Sequence, residues 1–256
     1  MIDSGIDMCD FASDDNFNKL LEKYKMENPD CQVTVYSGNP QEVIDSLDVK
    51  EYPIPIDRTI PKYLAKIGEE DHMRKLFHQG LVYMNPLQYF KNLENTGDGR
   101  ADSDEGASFV AQTSKMFIGG MEINSPIPLT FSNKQFNYGY IYCLIGADNE
   151  DDLKRALEDN IQAMGGSCVL IHNPKEFLNR CATVMRSNNI NLQWGRVRYY
   201  EKNEGSYFLD PWMKEKKFAQ QSEFRLYFRM KEAGSKAILI NSIEDIAEAC
   251  KIEERE

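Results

Sequence analysis

The stretch SEFRLYF, residues 222–228, alternates polar and apolar side chains with the period of a β-strand. One face is apolar and is predicted to pack in the core; it holds Phe224, Leu226 and Phe228. The opposite face is polar and holds Glu223, Arg225, Tyr227 and Arg229. Glu and Arg two residues apart form either a weak surface ion pair or the wall of a polar cleft. In a cleft, Glu223 is the candidate catalytic residue, because its carboxylate can accept a ligand hydroxyl or orient a reactive centre.

Two basic stretches near this strand could bind an anion. In GRVRYYE, which begins at Gly195, Arg196 and Arg198 alternate with Val197 and Tyr199. If this stretch lies beside the Glu223 strand, its arginines suit a phosphate or pyrophosphate group, which Arg binds bidentately. The cluster WMKEKKF, residues 212–218, offers a second local anion site.

The stretch GRADSDEGAS, residues 99–108, has three interpretations. It does not fit the EF-hand template, because position 3 would be Arg100 and position 6 Ser103. Its acids could serve a metal-dependent phosphoesterase or nuclease, together with ligands elsewhere; these acids are Asp102, Asp104 and Glu105. It could also be a solvated turn, or a ligand-covering loop in which Arg100 contacts a phosphate and Asp102 and Glu105 hold that Arg.

Histidines and cysteines indicate no metal centre. His72 and His78 are predicted to lie at the surface, whereas His172 follows a buried strand and is a minor site candidate. The six cysteines include no C-x-x-C pair and are not spaced with the histidines like zinc ligands. Buried, reduced thiols are therefore expected.

Composition narrows the class of protein. The 256 residues are 41% apolar and 28% charged, which is ordinary globular composition. The net charge of −11 is concentrated in residues 1–55, which hold 12 acidic and 4 basic residues. The acidic balance predicts no nonspecific nucleic-acid binding. The first residues include no basic region or apolar run typical of a signal peptide, and no apolar run has the length of a membrane span, so we expect a cytoplasmic location.

The helices and strands predicted along the chain indicate an α+β fold, with a mixed sheet of about five to seven strands flanked by helices. An acidic N-terminal lobe, residues 1–55, is expected to precede a main domain, residues 56–256. The helix GEEDHMRKLFHQG is predicted to end at Gly80, and helices are also expected at NEDDLKRALEDN, NPKEFLNRCATVMRS and SIEDIAEAC. The apolar run SCVLI predicts a buried central strand.

A spaced set of motifs carries a resemblance over residues 60–245. Its members are Tyr83, Asn85, Tyr89-Phe90, Glu94, Arg100-x-Asp102-x-x-Glu105-Gly106, Gly195-x-Val197-x-Tyr199, Lys217-Phe218 and Gln221-x-Glu223-Phe224-Arg225. In order and spacing the chain resembles a loosely defined group of uncharacterised bacterial and phage proteins found near mobile elements or antiviral defence genes.

Part of the pattern is also similar to distant ADP-ribosyltransferases. That resemblance implies that Glu223 hydrogen-bonds the nicotinamide ribose of NAD and that Arg58 holds the NAD ribose. It implies a toxin-like transferase that uses NAD or a related nucleotide. Across all these arguments the candidate ligand-binding residues are Arg58, Asn85, Arg100, Asp102, Glu105, Arg198, Gln221 and Arg225.

Three function classes stay open from the sequence. The first is a cytoplasmic effector with an ADP-ribosyltransferase-like core. The second is a non-catalytic binding or sensor subunit of a defence complex, whose acidic N-terminal lobe docks on a protein partner. The third is the metal-dependent phosphoesterase or nuclease. A nucleotide ligand is expected under the first class, and no membrane partner under any of them.

Overall fold

The structure is a computed structural model that describes residues 32–35, 56–92, 109–111, 115–118, 121–124, 129–131, 139–201, 207–230 and 234–251. The described strands, in chain order, are β1 Gln32–Val35, β2 Tyr63–Gly68, β3 Leu81–Pro86, β4 Phe109–Ala111, β5 Lys115–Ile118, β6 Met121–Asn124, β7 Leu129–Phe131, β8 Gly139–Ala147, β9 Ser167–Ile171, β10 Gln193–Arg196, β11 Arg198–Tyr200, β12 Tyr207–Phe208, β13 Met213–Glu215, β14 Glu223–Arg229, β15 Lys236–Leu239 and β16 Ala247–Lys251. The described α-helices are α1 Glu70–Gln79, α2 Leu87–Asn92, α3 Glu150–Asn160 and α4 Pro174–Ser187.

Contacts divide the chain into two compact units. The smaller unit contains β1, β4 to β7 and β12, and the larger unit contains the other described elements. Within the smaller unit, the three-stranded sheets have the orders β1-β6-β5 and β12-β4-β7. The boundary between residues 55 and 56 that the sequence suggests stays a prediction.

An eight-stranded sheet forms the centre of the larger unit. Six strands follow the order β10-β14-β8-β2-β9-β16, while β3 pairs with β8 and β15 pairs with β3. Together with the helices, this sheet confirms the predicted α+β class. It has eight strands rather than five to seven, and every described pairing within it is antiparallel.

Helices cover both faces of this sheet. Successive strand residues point to opposite sides, so each strand contributes side chains to both faces. On one face, α1 and α4 pack against apolar strand residues such as Leu64, Val169 and Phe224. On the other face, α3 packs against Ala65 and Ile145 and their neighbours. The run SCVLI is β9, between β2 and β16, as its unbroken apolar character predicts.

Short polar residues begin two of the helices. The Asn149 side chain accepts a hydrogen bond from the Asp152 amide at 2.9 Å, and Asn173 accepts one from the Glu176 amide at 3.2 Å. Each bond satisfies an amide that has no partner within its own helix. The two caps therefore define where α3 and α4 begin.

Gly80 ends α1, as predicted. Its φ of 65° lies in the left-handed region, and its amide donates to the Leu76 carbonyl. A Cβ atom at this position would lie 1.7 Å from the backbone oxygen of Asn241.

Gly80→Ala is therefore expected to lower the free energy of unfolding by about 2–3 kcal/mol, since strain at positive φ and a backbone clash add together. Urea unfolding measures the loss. Gly234→Ala is the matched control, because Gly234 also has a positive φ of 85° but its Cβ would meet no described atom within 4 Å. The control is expected to cost about 1 kcal/mol. Equal losses in the two variants would contradict the clash at Asn241.

The helix predicted for SIEDIAEAC is wrong. Its last residues form β16, whose Ala247 and Cys250 pair with Ile171 and Cys168 of β9. The apolar spacing gives only a weak helical preference. Hydrogen bonding to β9 and burial at the end of the sheet stabilise the strand more strongly. Among the described residues, no helix combines the length and apolarity that crossing a membrane requires.

Candidate functional site

Strand β8 changes partners along its length, and a fork in the sheet results. Its C-terminal part pairs with β2 up to the Ala65–Ile145 pair, whereas its N-terminal part pairs with β3 at Asn85–Ile141. Cys143 lies between these two described registers. The Lys66 ammonium donates a hydrogen bond to the Cys143 carbonyl at 2.8 Å, and thereby satisfies a backbone acceptor at the fork.

A cavity of about 110 Å³ lies at this fork, within the larger unit. Its walls come from the strands β2, β3, β8 and β14, from α2, from the end of α3 and from the segment that precedes β14. The described polar residues of the walls are Lys66, Tyr83, Asn85, Tyr142, Cys143, Asn160, Lys214, Gln221, Glu223 and Arg225.

Two residues of the polar face of β14, Glu223 and Arg225, are buried against this cavity. Arg225 is 0% exposed and Glu223 is 8% exposed, so the interpretation as a surface ion pair is wrong. The Arg225 Nε donates to Glu223 Oε2 at 2.7 Å, and its Nη1 donates to the Pro211 carbonyl at 2.6 Å. Lys214 Nζ donates to Glu223 Oε1 at 2.6 Å. Lys214, Glu223 and Arg225 form one buried charge cluster.

Local backbone geometry holds this cluster in place. A 3₁₀ turn, Lys216–Gln221, ends at Ser222, whose φ of 44° is in the left-handed region. This turn brings the Gln221 side chain to Lys214 Nζ, which donates to it at 2.7 Å. The side-chain amide of Asn160 donates a hydrogen bond to the backbone carbonyl of Gln220 at 2.9 Å. This bond joins the end of α3 to the same turn.

The Glu223 carboxyl is strongly acidic in the fold. Burial alone raises its pKa, but the positive charges of Arg225 and Lys214 outweigh burial and lower the pKa from 4.5 to about 2. Glu223 is consequently ionised at neutral pH. Each of its oxygens accepts a hydrogen bond from a cationic side chain, so the carboxylate is oriented and electrostatically compensated.

Cys143 and Tyr199 lie beside this cluster, and neither is an activated nucleophile. Burial, followed by the negative charge of Glu223, raises the pKa of Cys143 to about 12, so its thiolate is scarce at neutral pH. Burial also raises the pKa of Tyr199. The Tyr199 hydroxyl oxygen accepts a hydrogen bond from the backbone amide of Glu223 at 2.9 Å, and this bond anchors the start of β14.

Four of the candidate residues come together in the structure. Asn85, Gln221, Glu223 and Arg225 all line the cavity, although Asn85 is distant from the others in the chain. Asn85 Oδ1 accepts a hydrogen bond from Ser235 Oγ at 2.8 Å, which fixes its side chain at the rim. The catalytic and ligand-binding roles of these residues stay predictions.

Two candidates are not among the described residues that line the cavity. Arg198 lies on β11, which pairs with β13 rather than β14, and it forms an ion pair with Asp210. The strand predicted from GRVRYYE breaks at Val197, so only its first half lies beside β14. Arg58 is exposed in the segment before β2. Arg100, Asp102 and Glu105 lie outside the described residues.

Three cavity residues with charged or amide side chains are outside the candidate set: Lys66, Asn160 and Lys214. Lys214 carried a signal, since it belongs to the basic cluster WMKEKKF, in which it is buried and Lys216 and Lys217 are exposed. Lys66 follows the strand alternation of a buried stretch, where a Lys between Ala65 and Ile67 is unusual. Nothing in the local sequence singles out Asn160.

The metal-dependent alternative gains no support from the part of the chain with described side chains, which has no group of three or more His, Cys, Asp or Glu arranged to hold a metal ion. Its proposed ligands, Asp102, Asp104 and Glu105, lie outside that part.

Comparison of the chain with family models, with curated proteins and with solved structures gave no match. The two resemblances described from the sequence motifs therefore stay predictions.

Proposed function

We propose that the fork cavity binds a small anionic ligand that carries a phosphate or carboxylate group, and that the protein acts as a non-catalytic binding or sensor module. The observation that carries this proposal is the charge of the cavity. Among its described lining residues, Lys66, Lys214 and Arg225 are cationic, and Glu223 is the one carboxylate.

The surroundings of these cations favour anion binding. The buried positions of Lys214 and Arg225 reduce solvent screening, which strengthens their attraction for a negative charge. Asn85 and Gln221 add side-chain amides on the same walls. A guanidinium, two ammonium groups and amides make up the donor set that recognises phosphate and carboxylate oxygens.

The size of the cavity favours a small ligand. Its volume of about 110 Å³ is below the roughly 300 Å³ at which cavities begin to enclose drug-sized molecules. Inorganic phosphate, a short carboxylic acid or one charged end of a larger ligand is the expected occupant of the described cavity.

The environment of Glu223 favours binding over catalysis. A general base is most effective when its pKa lies near the working pH, whereas the pKa of Glu223 is about 2. Its two oxygens hold Lys214 and Arg225 in position at 2.6 and 2.7 Å. The role that this geometry supports is to orient two cations toward the cavity.

A second candidate function is the ADP-ribosyltransferase-like use of NAD. One observation favours it: Asn85, Gln221 and Glu223, which the sequence motifs connect with nucleotide binding, line a single cavity. In that case Glu223 would orient a ribose hydroxyl through a hydrogen bond, which requires an ionised carboxylate rather than a strong base. The context of a cytoplasmic bacterial or phage defence protein likewise remains a proposal.

Lys66→Met tests the anion site, because it removes one cavity charge and keeps much of the side-chain volume. We expect the dissociation constants of phosphate and pyrophosphate to rise about 10-fold to 100-fold, the equivalent of one charge-assisted hydrogen bond. Isothermal titration calorimetry measures the constants. Lys62→Met is the matched control, since Lys62 is exposed four residues earlier, and its affinity is expected to match the wild type.

The same titrations separate the two functions. Binding of phosphate, pyrophosphate or acetate that depends on Lys66 supports the anion-binding module. Stronger binding of NAD, together with release of nicotinamide measured by chromatography, supports the transferase. Each probe is titrated to about 10 mM, which is about 100 times a typical weak dissociation constant. If none of the probes gives a binding signal at that concentration, both functions are contradicted.

A further inference from the structure

We propose that Cys168 and Cys250 are an oxidation site, at which a peroxide converts the two thiols to a cross-strand disulfide that ties β16 to β9. This site lies outside the charge cluster and is independent of the proposed ligand.

The register of the two strands places the cysteines opposite each other. Cys250 of β16 is the direct partner of Cys168 of β9, in an antiparallel ladder that runs from Ala247–Ile171 to Lys251–Ser167. Directly opposite residues in antiparallel strands have Cα atoms about 4.5 or 5.5 Å apart. Both distances fall in the range of about 4.4–6.8 Å that a disulfide spans.

The two thiols also face each other on one side of the sheet. Cys168 is buried in the apolar cluster beneath α3, and Cys250 packs against the same cluster. Hydrogen bonding between the two thiols lowers the pKa of Cys250 and raises the pKa of Cys168.

Of the two paired thiols, Cys250 is the more exposed and is expected to react first. β16 is the last strand in the described order of the sheet, and Cys250 is only half-buried. Its stabilised thiolate is the nucleophilic form of cysteine. By contrast, Cys181 is buried, and burial raises its pKa, so it is a poor competitor for the oxidant.

The reaction has two steps and balances with one peroxide. The Cys250 thiolate attacks one peroxide oxygen, the O–O bond breaks, and the products are a sulfenic acid and hydroxide, which takes up a proton to become water. The Cys168 sulfur then attacks the sulfenic sulfur, the S–O bond breaks, and a second water leaves with the Cys168 proton. Two thiols lose two electrons, and the peroxide gains them.

The disulfide would join an edge strand to an interior strand across 82 positions of the chain. Cross-linking over so long a separation restricts the unfolded chain strongly and resists detachment of β16. The same cross-strand row continues from Cys168 to Ile67 of β2, a residue that lines the fork cavity.

Tryptic mapping of the full-length protein tests the proposal. The folded protein is treated with hydrogen peroxide, its free thiols are blocked with N-ethylmaleimide, and it is digested without reductant. We expect the peptide 156–175 joined to the peptide 237–251, because each contains a single cysteine, Cys168 or Cys250. Dithiothreitol is expected to remove this species, and the oxidised protein to melt about 5–10 °C higher than the reduced protein.

Matched variants distinguish this pair from the other cysteines. Cys250→Ser should abolish the joined peptide, and Cys181→Ser should leave it unchanged. Recovery of Cys168 as a blocked or free thiol while Cys250 is oxidised further, to sulfinic or sulfonic acid, would overturn the proposal. Pairing of Cys250 with any other cysteine in the wild-type protein would overturn it as well.

Discussion

Glu223→Gln is expected to lower the free energy of unfolding by about 3–5 kcal/mol, the cost of breaking a buried ion pair by removing one partner. The substitution leaves Lys214 and Arg225 buried, at 3% and 0% exposure, without the carboxylate that both now contact. A Gln side chain keeps the shape of Glu but also turns an NH₂ group toward one of the two donors. Urea unfolding at neutral pH measures the loss.

An exposed pair of the same chemistry supplies the control. Glu201 and Lys216 form an ion pair at the surface, with 45% and 62% of their side chains exposed. Glu201→Gln is expected to cost less than about 1 kcal/mol, because solvent screens the pair in both states. A similar loss in Glu201→Gln and Glu223→Gln would contradict the importance of burial.

A double variant isolates the charge. Adding Arg225→Met to Glu223→Gln removes one of the two uncompensated cations and places an apolar chain in a buried position. We expect the double variant to be less destabilised than the sum of the two single variants, by about 1–3 kcal/mol. Additive losses would mean that the two residues do not interact in the folded protein.

Acid is expected to abolish most of the advantage that the wild type has over Glu223→Gln. The pKa of Glu223 is about 2 in the folded protein, compared with the ordinary value of 4.5 that applies to the unfolded chain. Because the folded-state pKa is the lower one, the unfolded chain takes up the proton first as the pH falls. The stabilisation is therefore complete above pH 4.5, is lost progressively toward pH 2, and amounts to about 3 kcal/mol.

The difference between wild type and variant isolates this carboxyl from the other acidic residues, which both proteins share. Unfolding by urea at pH 7, 5, 4 and 3 should show an unchanged difference from pH 7 to pH 5 and a decrease of about 2 kcal/mol from pH 5 to pH 3. Glu70→Gln, at an exposed position on α1, provides the baseline. A difference that is constant down to pH 3 would contradict the strongly acidic carboxyl.

These two experiments also bear on function. A Glu223 that is ionised down to low pH and indispensable for stability acts as an anchor for Lys214 and Arg225. Loss of ligand binding in Glu223→Gln would then be difficult to interpret, since the cavity itself is perturbed. For this reason Lys66→Met, at a partly exposed position beside the cluster, is the more informative variant for binding.

Local patterns predict several of the elements and part of the site. Period-two alternation identified β14 and placed Glu223 and Arg225 on one face, and Gly80 was recognised as the end of α1. These features depend on neighbours within a few residues, such as the left-handed φ that Gly80 accepts without strain. The α+β class followed from the same local signals.

Burial of the polar face could not be predicted in this way. Alternation is the same whether a polar face meets water or a second layer of the protein, and here Pro211, Lys214 and the 3₁₀ turn cover Glu223 and Arg225. That layer comes from the chain just before β14 and folds back over it. The choice between a surface ion pair and a buried cluster therefore depends on how this preceding segment packs, and the alternation within the strand does not record that packing.

Residues far apart in the chain met at the cavity through strand order. Lys66 reaches Cys143 because β8 exchanges β2 for β3 as its partner, and no local pattern records such an exchange. The same reason explains why the sequence pattern predicts a helix where β16 lies: Ala247–Lys251 has a weak local preference, and pairing with β9 selects its conformation. Sequence patterns establish which residues share a face, whereas the pairing of strands in space establishes which faces meet and which side chains they bury.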